Sequence, residues 1–203
     1  MTPTLLAASP LNPLFVKALQ TKYNVIGPMS HDALMSHPDR ELIEVIAAGG
    51  ESKVPASMMD ALPALKLISV MGVGYDGVDV GHAIQRGAMV THTPNVLNDD
   101  VADLAIALML SVTRRIPQAH QFVRAGEWAK GGLPLATKLS GMRLGIVGMG
   151  RIGQAIAHRA EAFGMPIAYT ARSAKSNLPY TFVADIEALP SQVGMLTLIT
   201  PGG

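Results

Sequence analysis

The 203-residue chain contains no cysteine, which excludes disulfides, thiolate zinc sites and cysteine nucleophiles. Aromatic residues are only 4% of the sequence, with Trp128 the single tryptophan. That is too few for the stacking platforms of single-strand nucleic-acid binders. Charge is also sparse, at 15% of residues and a net +1, so there is no basic field for nucleic acid and no acidic tail. The longest apolar run, LAIALML at 104–110, is far too short to span a bilayer. The opening MTPTLLAASPLNPLF lacks a basic n-region and is broken by proline, so no signal peptide is read there. No histidine and carboxylate spacing suggests a metal site. These absences predict a cytoplasmic protein without nucleic-acid or membrane partners.

What is abundant is hydrophobic residue, 49% of the chain, enough to build a core. Strand and helix patterns alternate from the start. Strands are predicted at 4–9, 24–27, 42–50, 66–72 and 88–93, with helices at 14–23, 54–62 and 80–87. Five short strands with intervening helices indicate a small doubly wound parallel sheet. The pattern then changes. NDDVADLAIALMLSVTRRI (98–116) reads as one long helix, capped by Asn98 or Asp99 and closed by two arginines. A second helical segment runs from Pro117 to about Gly126, and 127–141 reads as an extended arm or loop. A second alternating unit follows, with strands at 144–148, 166–171, 181–185 and 195–200.

The most specific signal is LGIVGMGRIG at 144–153. An apolar strand, glycines at 148, 150 and 153, and the amphipathic helix QAIAHRAEAF form the dinucleotide-binding fingerprint. Gly148 permits the tight turn, Gly150 lets a pyrophosphate approach the backbone, and Gly153 lets helix and strand pack closely. Free N–H groups at the helix start then face the phosphates. The turn Gly148, Met149, Gly150, Arg151, Ile152 and Gly153 is therefore the candidate cofactor seat. About twenty residues on, where an NAD-binding unit places an acid for the ribose 2′-hydroxyl, the chain has Arg172, Ser173 and Lys175. A guanidinium and a hydroxyl bind a 2′-phosphate that a carboxylate would repel. NADP is thus expected in preference to NAD, the alternative being that these are solvated loop charges.

SVMGVGYDGVD, THTPNVLNDDVADLAIALMLSVTRRI, FVRAGEW, LSGMRLGIVGMGRIGQAIAHRAEAFGM and the closing TPGG occur in this order. Together they resemble the D-isomer-specific 2-hydroxyacid dehydrogenases, most of all the glyoxylate and hydroxypyruvate reductase branch. The resemblance implies an α/β chain with a flavodoxin-like substrate-binding domain over residues 1–96. An incomplete Rossmann domain over 97–203 follows, and the active site of the family lies between the two. It implies that the N–H groups of Val73 and Gly74 hold the substrate carboxylate. Gly-Val-Gly also leaves bare backbone at a strand's carboxyl end, where open α/β sheets bind ligands. Gly49 and Gly50 either line the same cleft or simply end their strand. The resemblance further assigns cofactor contacts to Thr200 and Pro201, and homodimerisation to the long helix and arm, 98–140. Trp128 is either an anchor in that interface or a local packing residue.

The resemblance also implies that an Arg, a Glu and a His perform the chemistry, all after the strand that ends at Thr200. No catalytic residue is therefore assigned within these 203 residues. The expectation is that the chain is a piece of a longer reductase of small 2-oxo acids and is inactive alone. The alternatives are a nucleotide-binding fragment and a cofactor-sensing binding protein. Of the six histidines, His31, His37, His82, His120 and His158 read as surface or helix residues. His92 closes a strand near the candidate cleft and is the one worth testing.

Overall fold

The computed structural model describes residues 2–200. Those residues fall into two compact units that divide between Val96 and Leu97.

In the first unit the strands are β1 (Thr4–Ala7), β2 (Asn24–Ile26), β3 (Val45–Gly49), β4 (Leu67–Met71) and β5 (Met89–Thr91). All pair in parallel, in the order β2-β1-β3-β4-β5, which is the flavodoxin-like order. Ile46 on the central strand lies opposite Leu6 on one side and Ile68 on the other, and all three are buried. Continuous apolar strands suit a parallel sheet covered on both faces. The helices are α1 (Pro13–Gln20), α2 (His31–Met35), α3 (Ala56–Asp60) and α4 (Val80–Gln85). α2 is not expected from the sequence: it is one turn long, capped by Ser30 Oγ accepting from the Ala33 N–H, and buries only Leu34. A 3-10 turn at Arg40–Leu42 delays β3 until Val45, so the strand expected from 42 starts three residues later.

The second unit opens with α5 (Asn98–Thr113) and α6 (Ile116–Arg124). The cap position of α5 is Leu97, with no side-chain capping bond, which corrects the expected cap at Asn98 or Asp99. Those residues are already helical, and Asp99 and Asp100 put negative charge in the first turn, favourable to the helix dipole. The two arginines lie beyond the helix rather than in its last turn. Arg114 caps it, and Arg115 turns the chain into α6 with φ of 55°. The arm that follows is tied back to the end of α5 by the Thr137 N–H donating to the Thr113 carbonyl at 3.0 Å.

The remaining elements are β6 (Leu144–Val147), α7 (Arg151–Glu161), β7 (Ile167–Thr170), β8 (Thr181–Phe182) and β9 (Met195–Leu198). The sheet is parallel in the order β8-β7-β6-β9. Counted within this sheet that is 3-2-1-4, the opening of the classic dinucleotide-binding order. β6 and β7 are buried along their whole length. α7 buries Gly153, Ile156, Ala157 and Ala160, and the last three belong to one core cluster with Ala102, Ile106 and Met109 of α5. Arg159 also bonds Asp99 and Asp103 across the two helices. Both carboxylates are well exposed, so the apolar packing rather than the ion pairs holds α5 on α7. Among the described residues no helix is long and apolar enough to cross a membrane.

Candidate functional site

The turn after β6 shows why each glycine is glycine. A Cβ on Gly148 would stand 2.3 Å from the Ile199 carbonyl oxygen, and φ there is +103°. Both facts demand the absence of a side chain. A Cβ on Gly153 would stand 2.1 Å from the Gly148 carbonyl oxygen, so only glycine lets α7 start this close to the turn. Gly150 is different: a Cβ there would meet nothing within 4 Å. Steric crowding does not explain it, whereas a ligand needing the bare backbone does. The Gln154 N–H donates to the Gly150 carbonyl. The N–H groups of Arg151, Ile152 and Gly153 before it have no acceptor among the described residues. Three open amides at a helix start, beside open space at Gly150, fit the pyrophosphate of a dinucleotide. Met149 is buried beneath the turn, so its backbone rather than its side chain is available. The Thr200 methyl flanks Gly148, and Pro201 lies outside the described residues.

Next to this turn, β7 delivers the loop 171–180. Arg172, Ser173 and Lys175 are all exposed there, and their side chains have no hydrogen-bond or ionic partner among the described residues. The backbone, by contrast, is pinned. The Lys175 N–H donates to the Tyr169 hydroxyl at 2.7 Å. The Leu178 N–H donates to the Lys175 carbonyl at 3.1 Å. The Tyr180 hydroxyl donates to Glu161 Oε1 on α7 at 2.9 Å. Burial and the Glu161 carboxylate push the Tyr180 phenol up to about 12.

In the first unit, Val73 and Gly74 sit in the loop after β4. Neither N–H has an acceptor among the described residues, as an anion-binding backbone requires. The loop itself is held from the end of β5. The Thr93 N–H donates to the Gly72 carbonyl at 2.9 Å, and the Gly72 N–H donates to Thr93 Oγ1 at 3.0 Å. His92 Nδ1 lies 3.0 Å from the Val73 carbonyl, an atom that only accepts, so Nδ1 carries a proton. The Tyr75 ring meets the His92 ring edge-on at 4.8 Å. Gly50 packs under this loop: a Cβ on Gly72 would come within 2.8 Å of its Cα. Ser52, also buried, ties the ends of β1 and β3, with Oγ accepting from the Gly49 N–H at 2.7 Å and 2.6 Å from Ser9 Oγ. The sequence did not single out Thr93, Ser52 or Tyr169. A small hydroxyl beside glycines was the available signal for the first two, and a phenol inside an aliphatic strand for the third.

The other histidines are dispersed. His82 contacts Asp60 at 2.8 Å, with Arg86 on the same carboxylate, and these partners hold the Asp60 carboxyl below its ordinary value. His158 pairs with Glu161 on α7. No cluster of three or more metal-ligating side chains occurs among the described residues.

Comparison with known proteins decides the family. Residues 106–202 match the NAD binding domain of D-isomer specific 2-hydroxyacid dehydrogenases. The chain is 40% identical to 2-ketogluconate reductase of Gluconobacter oxydans over 201 residues, covering 99% of this chain and 64% of that protein. The NADPH-dependent glyoxylate/hydroxypyruvate reductase of Sinorhizobium meliloti, solved with NADP and malonate, superposes with a TM-score of 0.87 at 40% identity. That match covers all of this chain and 64% of the other. A dehydrogenase from Rhizobium meliloti matches at 37% identity and a TM-score of 0.76, covering 96% of this chain and 69% of that one.

The chain belongs to the D-isomer specific 2-hydroxyacid dehydrogenase family. It spans about two thirds of the length of these relatives. For a family member, the two sets of open amides acquire a chemical reading. Both stand at the carboxyl ends of parallel strands, one in each sheet, where α/β folds bind their ligands. Those near Gly150 suit a pyrophosphate, and those at Val73 and Gly74 suit a carboxylate.

Proposed function

We propose that the protein is an NADPH-dependent reductase of small 2-oxo acids, with glyoxylate and hydroxypyruvate as the first substrates to test. The observation that carries this reading is the uncommitted set Arg172, Ser173 and Lys175 at the end of β7, beside the glycine turn with its open amides. In this reading residues 1–96 hold the substrate, and residues 97–203 hold the cofactor through Gly148–Gly153, Arg172, Ser173, Lys175, Thr200 and Pro201. When bound, the nicotinamide supplies a hydride to the carbonyl carbon of the 2-oxo acid. Val73 and Gly74 present their N–H groups to the substrate carboxylate, and His92 fixes that loop through the Val73 carbonyl. The proton donor is assigned to none of the described side chains, and residues 1–203 alone are expected to show no turnover. The reading is supported by the identity with a reductase solved with NADP and by the absence of an acid at positions 172–175.

The reading includes a homodimer built on α5 and the arm. Leu104, Leu108, Val112 and Ile116 recur every four residues and remain exposed, as do Trp128 and Leu135. In this reading the exposed face of α5 formed by Leu104, Leu108 and Val112, with Ile116 at the start of α6, is the association surface.

Titration of the protein with NADPH and NADH tests the cofactor half. NADPH should bind more tightly, and Arg172→Ala should cost about 1.5–3 kcal/mol, less any screening at this exposed position. Equal affinities for the two cofactors refute the assignment. Reduction of glyoxylate or hydroxypyruvate by NADPH, assayed on the full-length enzyme beside residues 1–203, tests the substrate half, and indifference of the full-length enzyme to both acids refutes it.

A further inference from the structure

The loop that carries Arg172, Ser173 and Lys175 is exposed from Arg172 to Asn177, yet one of the backbone amides there is bonded to the interior. Tyr169 is 1% exposed. Its ring packs against Phe182 with centroids 5.5 Å apart, and its hydroxyl accepts the Lys175 N–H at 2.7 Å. A phenylalanine would fill the same core position without a polar atom to satisfy. The phenol thus costs desolvation that only its contact with the loop repays. The geometry of that contact is selective. Thr170 ends β7, and the hydroxyl catches the chain again at Lys175. The segment 171–174 is held at both ends, and Arg172 and Ser173 lie inside it. The turn closed by Leu178 N–H on the Lys175 carbonyl extends the restraint past Lys175 itself.

We propose that Tyr169 is a positioning residue for cofactor discrimination: its buried hydroxyl latches the 171–175 segment so that Arg172, Ser173 and Lys175 are set in advance around a 2′-phosphate. This rests on the NADPH reading and deepens it. Tyr169 touches no part of the ligand. Long cationic side chains on a free loop lose conformational freedom when they close on a phosphate, and fixing the backbone beforehand reduces that loss. The same latch does nothing for a cofactor with a bare 2′-hydroxyl, because none of the three side chains is then engaged.

The probes are adenosine 2′,5′-bisphosphate and 5′-AMP, which differ by the 2′-phosphate and need no catalysis. Calorimetric titration of wild type and Tyr169→Phe with each probe tests the latch. The expected result is a loss of about three- to tenfold in affinity for the bisphosphate, the size of one hydrogen bond, with 5′-AMP unchanged. In an Arg172→Ala background the Tyr169→Phe effect should shrink, because the two act on one contact. A merely structural role would weaken both probes alike. If wild type does not prefer the bisphosphate, the NADPH reading fails and the latch with it. If wild type prefers it and Tyr169→Phe keeps the full preference, the latch alone is refuted. Should Tyr169→Phe not fold, amide exchange in wild type gives the answer. The Lys175 amide must exchange more slowly than those of Arg172, Ser173 and Ala174, and equal rates overturn the proposal.

Discussion

The three glycines of the fingerprint should separate under substitution, because they are glycine for different reasons. Gly153→Ala places a Cβ 2.1 Å from the Gly148 carbonyl oxygen. Both atoms are fixed to backbone, so the helix must back away from the turn by about an ångström. Overpacking of this kind costs about 1–3 kcal/mol, and a contact this short belongs at the upper end. Replacing glycine by alanine in a helix returns about 1 kcal/mol, which leaves a net loss of about 2 kcal/mol. For a unit of this size that lowers the melting temperature by about 8–16 °C. Gly150→Ala has the opposite signature. Its Cβ meets nothing within 4 Å, and its φ of −79° suits any residue. Stability should hold or rise by about 0.4–1 kcal/mol through the unfolded chain. Its methyl, however, occupies the space a pyrophosphate needs. Losing one charge-assisted bond there costs about 1.5–3 kcal/mol, or about 10- to 150-fold in affinity. Thermal melts of both variants, paired with NADP⁺ titrations, read the two effects independently. Equal destabilisation of both variants, or wild-type NADP⁺ affinity in Gly150→Ala, would refute this division of labour.

Three other outcomes follow from the same geometry. In the full-length enzyme, His92→Leu removes the bond to the Val73 carbonyl and should raise KM for the 2-oxo acid several-fold with kcat little changed, while His92→Asn, which retains a donor, should recover part of the loss; equal kinetics in all three forms would remove His92 from the loop's support. Sedimentation should give a dimer that Leu108→Asp converts to monomer, and a monomeric wild type at micromolar concentration would refute the interface on α5. The Tyr180 phenol ionises near 10 in the unfolded chain and at about 12 in the folded one; the folded state therefore holds the extra proton between those values, so stability falls as pH rises through that window, and Tyr180→Phe should flatten this alkaline decline.

Much of this architecture is readable from residues alone, and the reasons differ by element. β3 and β6 are found because short apolar runs that close on glycine have few other interpretations. The glycine turn is found because its spacing carries mechanics. α2 escapes because His31–Met35 buries one residue and shows no face. The cap of α5 is misplaced because Asn98 and Asp99 are favoured cap residues, and nothing local reveals that Leu97 takes the position. Three groups that shape the candidate sites, Thr93, Ser52 and Tyr169, act through pairings 21, 3 and 6 residues away. Their side chains look ordinary until the chain folds around them.

The crowding of Gly148 against the Ile199 carbonyl has a consequence for synthesis. The Ile199 N–H donates to the Val147 carbonyl at 2.8 Å, so the floor of the nucleotide seat is laid by a strand translated about fifty residues after the glycines. A ribosome that has just released Gly153 has produced every letter of the fingerprint but not the pocket. Binding competence therefore arrives only when β9 docks on β6, well after the glycines are made, and a cofactor present in the cell stabilises only chains that have passed that point.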